Sequence, residues 1–270
     1  MLTDFHIHTT FSDGKHSLSD VINFYGQRGF GAIAITDHLC ETKHYLGRMA
    51  RYLNKTLTVS NFSEYQNALL KESNRAWKEY QMIVYSGFEI TKNSFDNHRS
   101  AHILALNCKK FISADQSIDQ ILMEIKSEKA LTVAAHPVHT RKLEKQTYHL
   151  WDRREELKSL FDAWEVASGP IIFDEVQKSQ LPMVANSDLH RFEQINSWKS
   201  YLFCEKDSEE ILNAIRDQKI SFMNYQEKMT PFLIYKMNKK IKSFKMNYYD
   251  FKKNFKTSIQ NGIECDLIFP

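Results

Sequence analysis

Short apolar runs alternate along this chain with longer amphipathic ones, and that alternation restricts the fold more than any other feature. Leu2–His8 has the length and composition of a buried strand. Leu18–Arg28 follows, with Val21, Ile22, Phe24 and Tyr25 spaced for one helical face and Ser17 or Ser19 placed to cap its start. Gly26, Gly29 and Gly31 break the pattern before Ala32–Thr36, a second buried strand. Strand, helix, strand in this order implies a parallel pair joined by a crossover.

The rhythm returns with strands at Met82–Tyr85, His102–Asn107, Leu131–Ala135, Ala163–Val166 and Met183–Ala185. Helices are expected at Ser117–Ser127, Leu143–Leu160 and Ile171–Ser179. Seven strands with helices between them predict an α/β fold, a closed or nearly closed barrel. Residues 39–80 depart from the rhythm. They are polar, with a helix from about Asn61 to Tyr80 capped by Asn61 or Ser63, and they read as an insertion above the strand ends. Beyond Arg191 a strand (Ser200–Cys204), a helix (Ser208–Asp217) and a strand (Ile220–Asn224) extend the barrel domain to residue 225. Residues 226–270 form a basic C-terminal extension, in which Lys236, Lys239, Lys240, Lys242, Lys245, Lys252, Lys253 and Lys256 sit among Phe and Tyr.

Composition narrows the class. The 270 residues are 42% hydrophobic and 26% charged, which suits one large domain or two small ones with a substantial core. A net charge of +3 is no argument for a nucleic-acid partner. No basic leader and no apolar stretch of about 18 residues stands in the chain, so neither a signal peptide nor a membrane span is expected. Cys40, Cys108, Cys204 and Cys265 form no CxxC pair and read as reduced thiols of a cytoplasmic protein.

Imidazoles and carboxylates gather where the strands end. His6 and His8, two apart on a strand, face the same side and can reach one metal ion. Ser12-Asp13-Gly14 is a tight polar turn that can return the Asp13 carboxylate over that strand end. His38 lies just past the second strand. Asp37 beside it is either the carboxylate that orients it or a turn residue. Glu89 ends the run Ile83–Phe88, and a carboxylate there can bridge two cations and offset their repulsion. His136 sits between Ala135 and the rigid Pro137, while Asp188 and His190 repeat the spacing of the first pair. His102 is the exception, since it begins its strand; that strand runs antiparallel, or its boundary lies elsewhere. Such a set predicts a polynuclear metal site and hydrolytic chemistry.

With these residues the chain resembles the PHP (polymerase and histidinol phosphatase) family of metal-dependent phosphoesterases. The likeness rests on His6-Ile7-His8-Thr9, Ser12-Asp13-Gly14, Thr36-Asp37-His38, Gly87-Phe88-Glu89, Ala135-His136-Pro137 and Ser187-Asp188-Leu189-His190, and it covers about residues 1–191. The resemblance implies a distorted seven-stranded (β/α)7 barrel with two or three divalent ions at its mouth. It further implies one cation held by His6, His8, Glu89 and Asp188, a second by Glu89, His102 and His136, and a third by Asp13, His38 and His190. His98 is the rival of His102. Many relatives carry an arginine close behind the histidine-proline pair; here that role falls to Arg141 or to no residue.

Residues and resemblance agree on hydrolysis at phosphorus. Metal ions, whether Zn, Mn or Fe, polarise phosphoryl oxygens and bring a bound water toward a pKa of about 7. Asp13, His190 or a bound water protonates the leaving alcohol, and Arg191, Arg141, Lys142 and Lys15 are candidates for phosphate contact. Three functional classes compete. The first is a phosphoesterase acting on a small phosphomonoester such as a nucleotide or histidinol phosphate. The second is a nuclease using the basic tail, and the third a non-catalytic metal-binding module. His44, Tyr45, Arg48, Arg51 and Tyr52 either line the substrate wall or form a solvated helix.

Overall fold

A computed structural model of the chain describes residues 1–93, 100–138, 148–227 and 267–268. In chain order these form β1 (Leu2–Asp4), α1 (Leu18–Gln27), β2 (Ala32–Ile35), β3 (His38–Cys40), α2 (Tyr45–Tyr52), α3 (Val59–Tyr80), β4 (Ile83–Lys92) and β5 (Ala101–Leu106). There follow α4 (Ile118–Ser127), β6 (Leu131–Ala134), α5 (His149–Asp152), α6 (Arg154–Leu157), β7 (Ala163–Ser168), β8 (Ile171–Ile172), α7 (Asp174–Gln177) and β9 (Met183–Asn186). The chain continues through β10 (Ser197–Leu202), α8 (Ser208–Arg216), β11 (Ile220–Tyr225) and β12 (Leu267–Ile268).

One mixed sheet carries the strands in the order β12-β11-β10-β1-β2-β4-β5-β6-β7-β8, with β3 also on β4 and β9 also on β7. Pairing is parallel for β1/β2, β2/β4, β3/β4, β6/β7 and β7/β9, and antiparallel on both sides of β5. The sheet curls until the chain beyond β9 meets the chain beyond β1. Ile7 and Leu189 form a parallel bridge, with His8 N–H donating to Leu189 O at 2.8 Å and Leu189 N–H to His6 O at 3.1 Å. β1, β2, β3, β4, β6, β7 and β9 therefore point one way, and their C-terminal ends share one rim.

The sheet corrects several expectations. Among the described residues it has twelve strands, against the seven expected in the barrel and the two expected after Arg191; β3, β8 and β12 are the additions. No helix separates β4 from β5 in the described chain, so the regular strand–helix repeat fails there. β4 runs on to Lys92, because β3 and β5 pair with its second half, and Glu89 lies inside a strand rather than after one. The helix expected over Ile171–Ser179 is a two-residue strand and a short helix. Gly169, in the left-handed region at φ +59°, turns the chain so that Ile171–Ile172 pairs back on Ala167–Ser168. The helix expected over Leu143–Leu160 is the short α5 and α6; residues 143–147 lie outside the described residues.

The helices form where their apolar stripes and caps demand. Ser17 Oγ accepts from Asp20 N and starts α1, whose Leu18, Val21, Ile22 and Tyr25 are buried. α3 is capped at Thr58, earlier than expected, in a reciprocal cap with Asn61. It buries Phe62, Tyr65, Leu69 and Ala76 and forms the crossover between the parallel strands β2 and β4. Tyr65 Oη donates toward Ile35 O (3.1 Å) and Gly87 O (2.8 Å), which ties α3 to both strands below the rim.

Candidate metal centre

At that rim the predicted residues converge. His6 and His8 lie beyond β1, His38 opens β3, Glu89 sits on β4, His136 follows β6, and Asp188 and His190 follow β9. His102 arrives from the other direction. Because β5 is antiparallel, its first turn of chain lies at the same end as the C-termini of its neighbours, and Thr91 pairs with His102. The boundary was sound and the antiparallel alternative holds.

Glu89 is the hub. Its Oε2 lies 3.6 Å from both His6 Nε2 and His8 Nε2, and each of those nitrogens lies 3.3 and 3.2 Å from Asp188 Oδ1. Its Oε1 lies 2.7 Å from His102 Nδ1 and 3.4 Å from His136 Nε2. Asp13 Oδ1 lies 3.6 Å from His38 Nε2, 3.3 Å from His190 Nε2 and 4.0 Å from His8 Nδ1. Four adjoining groups of potential ligand atoms result: His6/His8/Glu89, His6/His136/Asp188, Glu89/His102/His136 and His8/Asp13/His38/His190. His8 therefore joins the group expected to hold only Asp13, His38 and His190. Four donors arranged tetrahedrally about an ion at about 2.0–2.2 Å lie roughly 3.3–3.6 Å apart; most of these spacings fall close to that range, while His102 Nδ1 and Glu89 Oε1 stand at hydrogen-bonding distance and His8 Nδ1 and Asp13 Oδ1 stand wider.

Burial sharpens the case. His6, His8 and Glu89 are fully buried, whereas the side chains of Asp188 and Asp13 are 28% and 38% exposed, so the cluster has a closed floor and an open mouth. His6 Nε2 and both ring nitrogens of His8 are buried without a hydrogen-bond partner among the described residues. Leaving such atoms unsatisfied costs about 1–3 kcal/mol each, and a cation between His6 Nε2 and His8 Nε2 would remove that cost for those two. His136 (φ +28°) and Asp188 (φ +53°) both hold positive backbone angles, strain of order 1–3 kcal/mol each, found where a fold over-determines a functional position.

The charges are set by close packing. Burial pushes the Glu89 carboxyl up, but the imidazoles of His102, His38 and His6 outweigh it and hold the group well below its usual range. Asp188 is held down likewise against burial by His6 and His8. His8 falls to about 3 through burial and the neighbouring His38 and His190, so it is neutral and ready to donate a lone pair. Burial opposes charge on His190, yet Asp13 and Asp188 push it up to about 9.

Supporting residues complete the site. Asp37 does not orient His38. It accepts from Thr9 N (2.8 Å), Thr9 Oγ1 (2.7 Å) and Ser12 Oγ (2.6 Å), and so shapes the turn that carries Asp13. Glu89 Oε2 at 2.7 Å and Thr91 Oγ1 at 2.8 Å stand beside His38 Nδ1 instead. Asp4 receives Ser187 N, Ser187 Oγ and Tyr25 Oη and pairs with the buried Lys199, which seats the chain just before Asp188. Sequence reasoning missed Glu165, a buried carboxylate 2.9 Å from His6 Nδ1. Its signal was available: an acid inside the apolar run Ala163-Trp164-Glu165-Val166-Ala167 needs a buried partner. Of the phosphate-contact candidates, Lys15 and Arg191 are exposed on the rim, where Lys15 N–H donates to His190 O at 2.9 Å. Arg141 and Lys142, the rival His98, Cys265 and the tail lysines lie outside the described residues.

A family model described as the PHP domain matches residues 4–174. Among solved structures, a two-domain protein from Bacteroides vulgatus, described as containing a predicted PHP-like metal-dependent phosphoesterase, superposes with a TM-score of 0.62 at 18% identity, over 82% of this chain and 64% of that one. The chain thus spans less than two thirds of that protein's length. PsfC from Pseudomonas syringae matches over 90% of this chain and 98% of its own, at 14% identity and a TM-score of 0.49. A candidate histidinol phosphatase from Listeria monocytogenes matches over 72% and 97%, at 12% identity and a TM-score of 0.45. No curated protein matches the chain. With the family model covering well over half of the sequence, this chain belongs to the PHP domain family.

Proposed function

We propose that the protein is a metal-dependent phosphoesterase that hydrolyses a small phosphomonoester, such as a nucleotide or a histidinol-phosphate-like compound. The observation that carries this reading is Glu89, whose two carboxylate oxygens face separate sets of imidazoles. One carboxylate shared between adjacent cations is what a two-metal hydrolase needs. The residues that would hold the ions are His6, His8, Glu89 and Asp188; Glu89, His102 and His136; and Asp13, His38 and His190. Divalent ions held there would polarise phosphoryl oxygens and lower the pKa of a bound water toward neutrality. The mixed N/O donors suit Zn, Mn or Fe.

The protein's own groups then divide the work. The buried floor of His6, His8 and Glu89 excludes bulk water. Where no third ion sits between them, His190, 3.3 Å from Asp13 at the open side, keeps a proton that it can return to the leaving alcohol. Lys15 and Arg191 flank His190 and give the phosphate cationic partners on the rim. Residues 1–225 are read as the catalytic unit and 226–270 as its basic extension, whose β12 pairs with β11. The thiols of Cys40, Cys108 and Cys204 are free, as suits a reducing, cytoplasmic setting. No helix among the described residues is long and apolar enough to cross a membrane.

A second reading, a nucleic-acid phosphodiesterase, draws on α2. From Lys43 to Lys55 the chain carries four Lys/Arg side chains and no acid, with Tyr45 58% and Tyr52 84% exposed. Rings and cations so displayed suit a stacked, anionic substrate. A Mn²⁺-supplemented screen over nucleotides, sugar phosphates, histidinol phosphate and single-stranded oligonucleotides separates the two. Turnover of a phosphomonoester that chelator abolishes, and that Glu89→Gln lowers by several orders of magnitude with the fold retained, is the expected result. Full turnover in Glu89→Gln would refute the bridging role.

A further inference from the structure

Glu165 belongs to none of the four ligand groups, yet through His6 and His136 it touches three of them. It is fully buried on β7. Its Oε1 lies 2.9 Å from His6 Nδ1 and accepts from Asn186 Nδ2 at 2.8 Å, while its Oε2 accepts from the backbone N–H of His136 at 2.7 Å. Asn186 in turn accepts from Phe5 N at 2.9 Å, so the carboxylate is itself held in place from β9 and from the chain entering His6.

We propose that Glu165 is a positioning residue that makes two neighbouring cation sites bind as one unit. The reasoning rests on the metal-centre reading above and adds to it. An imidazole ligates through an unprotonated nitrogen, and the hydrogen bond at its other nitrogen decides which one that is. With Glu165 accepting at Nδ1, the proton of His6 stays there, and the lone pair of Nε2 faces Glu89 and Asp188. The second oxygen acts on a different ligand and by a different route. His136 sits in the left-handed region, and its N–H is held there by donating to Glu165 Oε2. The same carboxylate thus fixes the tautomer of one ligand and the backbone of another, and both hang from Glu89. The group of His8, Asp13, His38 and His190 contains neither residue.

Glu165→Gln is the diagnostic change because it keeps shape and removes only an acceptor. All three neighbours donate. The amide NH₂ must therefore face either the His136 N–H or the pair formed by His6 and Asn186. One choice abandons the His136 backbone, and the other turns the His6 proton toward the metal side. Either choice harms the sites that share Glu89.

The test is Zn²⁺ binding to the full-length, metal-stripped protein, followed by calorimetric titration and by elemental analysis after dialysis against graded chelator. In Glu165→Gln the expected result is a 10–100-fold weakening of the ions held through His6 and His136, with one ion retained at wild-type affinity. Uniform weakening of every ion would indicate a merely structural role and overturn the proposal, as would wild-type affinity throughout. If Glu165→Gln does not fold, Glu165→Asp keeps the charge but withdraws it by one methylene. It should weaken the same class of ions to a lesser degree, and unchanged binding in that variant overturns the proposal too. A wild-type protein that binds no Zn²⁺ would instead defeat the metal-centre reading itself, which distinguishes the two failures.

Discussion

At the scale of single residues, protons and metal ions compete for the same nitrogens. His190 rises from 6.5 to about 9 in the metal-free protein. Between those values the folded state binds more protons than the unfolded one, so the stability this group contributes is full below pH 6.5 and is lost as pH climbs through 9. His8 moves the other way, to about 3, and adds stability only as pH rises toward 6.5. The melting temperature of metal-stripped protein should therefore peak near pH 6.5 and decline toward pH 9, as read by circular dichroism. Zn²⁺ affinity should climb over the same window, because ligation requires the neutral imidazole. A melting temperature that rose steadily from pH 6.5 to 9 would contradict the Asp13–His190 pairing.

Two positions test how elements hold the site. A Cβ at Gly14 would lie 2.5 Å from the backbone carbon and oxygen of His8. Gly14→Ala must then push the Asp13 turn off the strand, and loss of one bound ion with a lowered melting temperature is expected. Tyr65→Phe strips the hydroxyl shared by Ile35 O and Gly87 O. The cost should be about 1–2 kcal/mol in urea unfolding, with ion stoichiometry unchanged, since α3 meets the strands below the rim. Elements also show what the pattern could convey. Strands and helices with strong periodicity stood out, α1 and α4 to within a residue or two of their ends. β3, β8 and the second half of β4 did not. They exist because a neighbouring strand offers hydrogen bonds, and three- and two-residue strands carry no period of their own.

For the whole molecule, metal and fold should be coupled. Ions bound to the native state alone stabilise it by about 2.7 kcal/mol at a free concentration of 100 Kd. For a chain of this size that is a rise of roughly 5–10 °C. Chelator should lower the melting temperature by a similar amount without abolishing folding, because the buried core of β-strands and helices does not depend on the rim. Differential scanning calorimetry with and without chelator would read the difference, and no difference would mean that the rim binds no ion.

Residue chemistry and local period together announced which side chains would gather. A histidine or acid placed just past an apolar strand has few places to point, so His6, His8, His38, Glu89, His136, Asp188 and His190 were visible in one dimension. Tertiary structure alone decided how they are shared. The antiparallel direction of β5 delivers His102, the curl of the sheet brings Leu189 against Ile7, and a buried acid on β7 reaches both His6 and His136. Those outcomes depend on pairings between segments up to 182 residues apart, and pairings at that separation are chosen by packing and hydrogen bonding across the sheet, which no local pattern encodes.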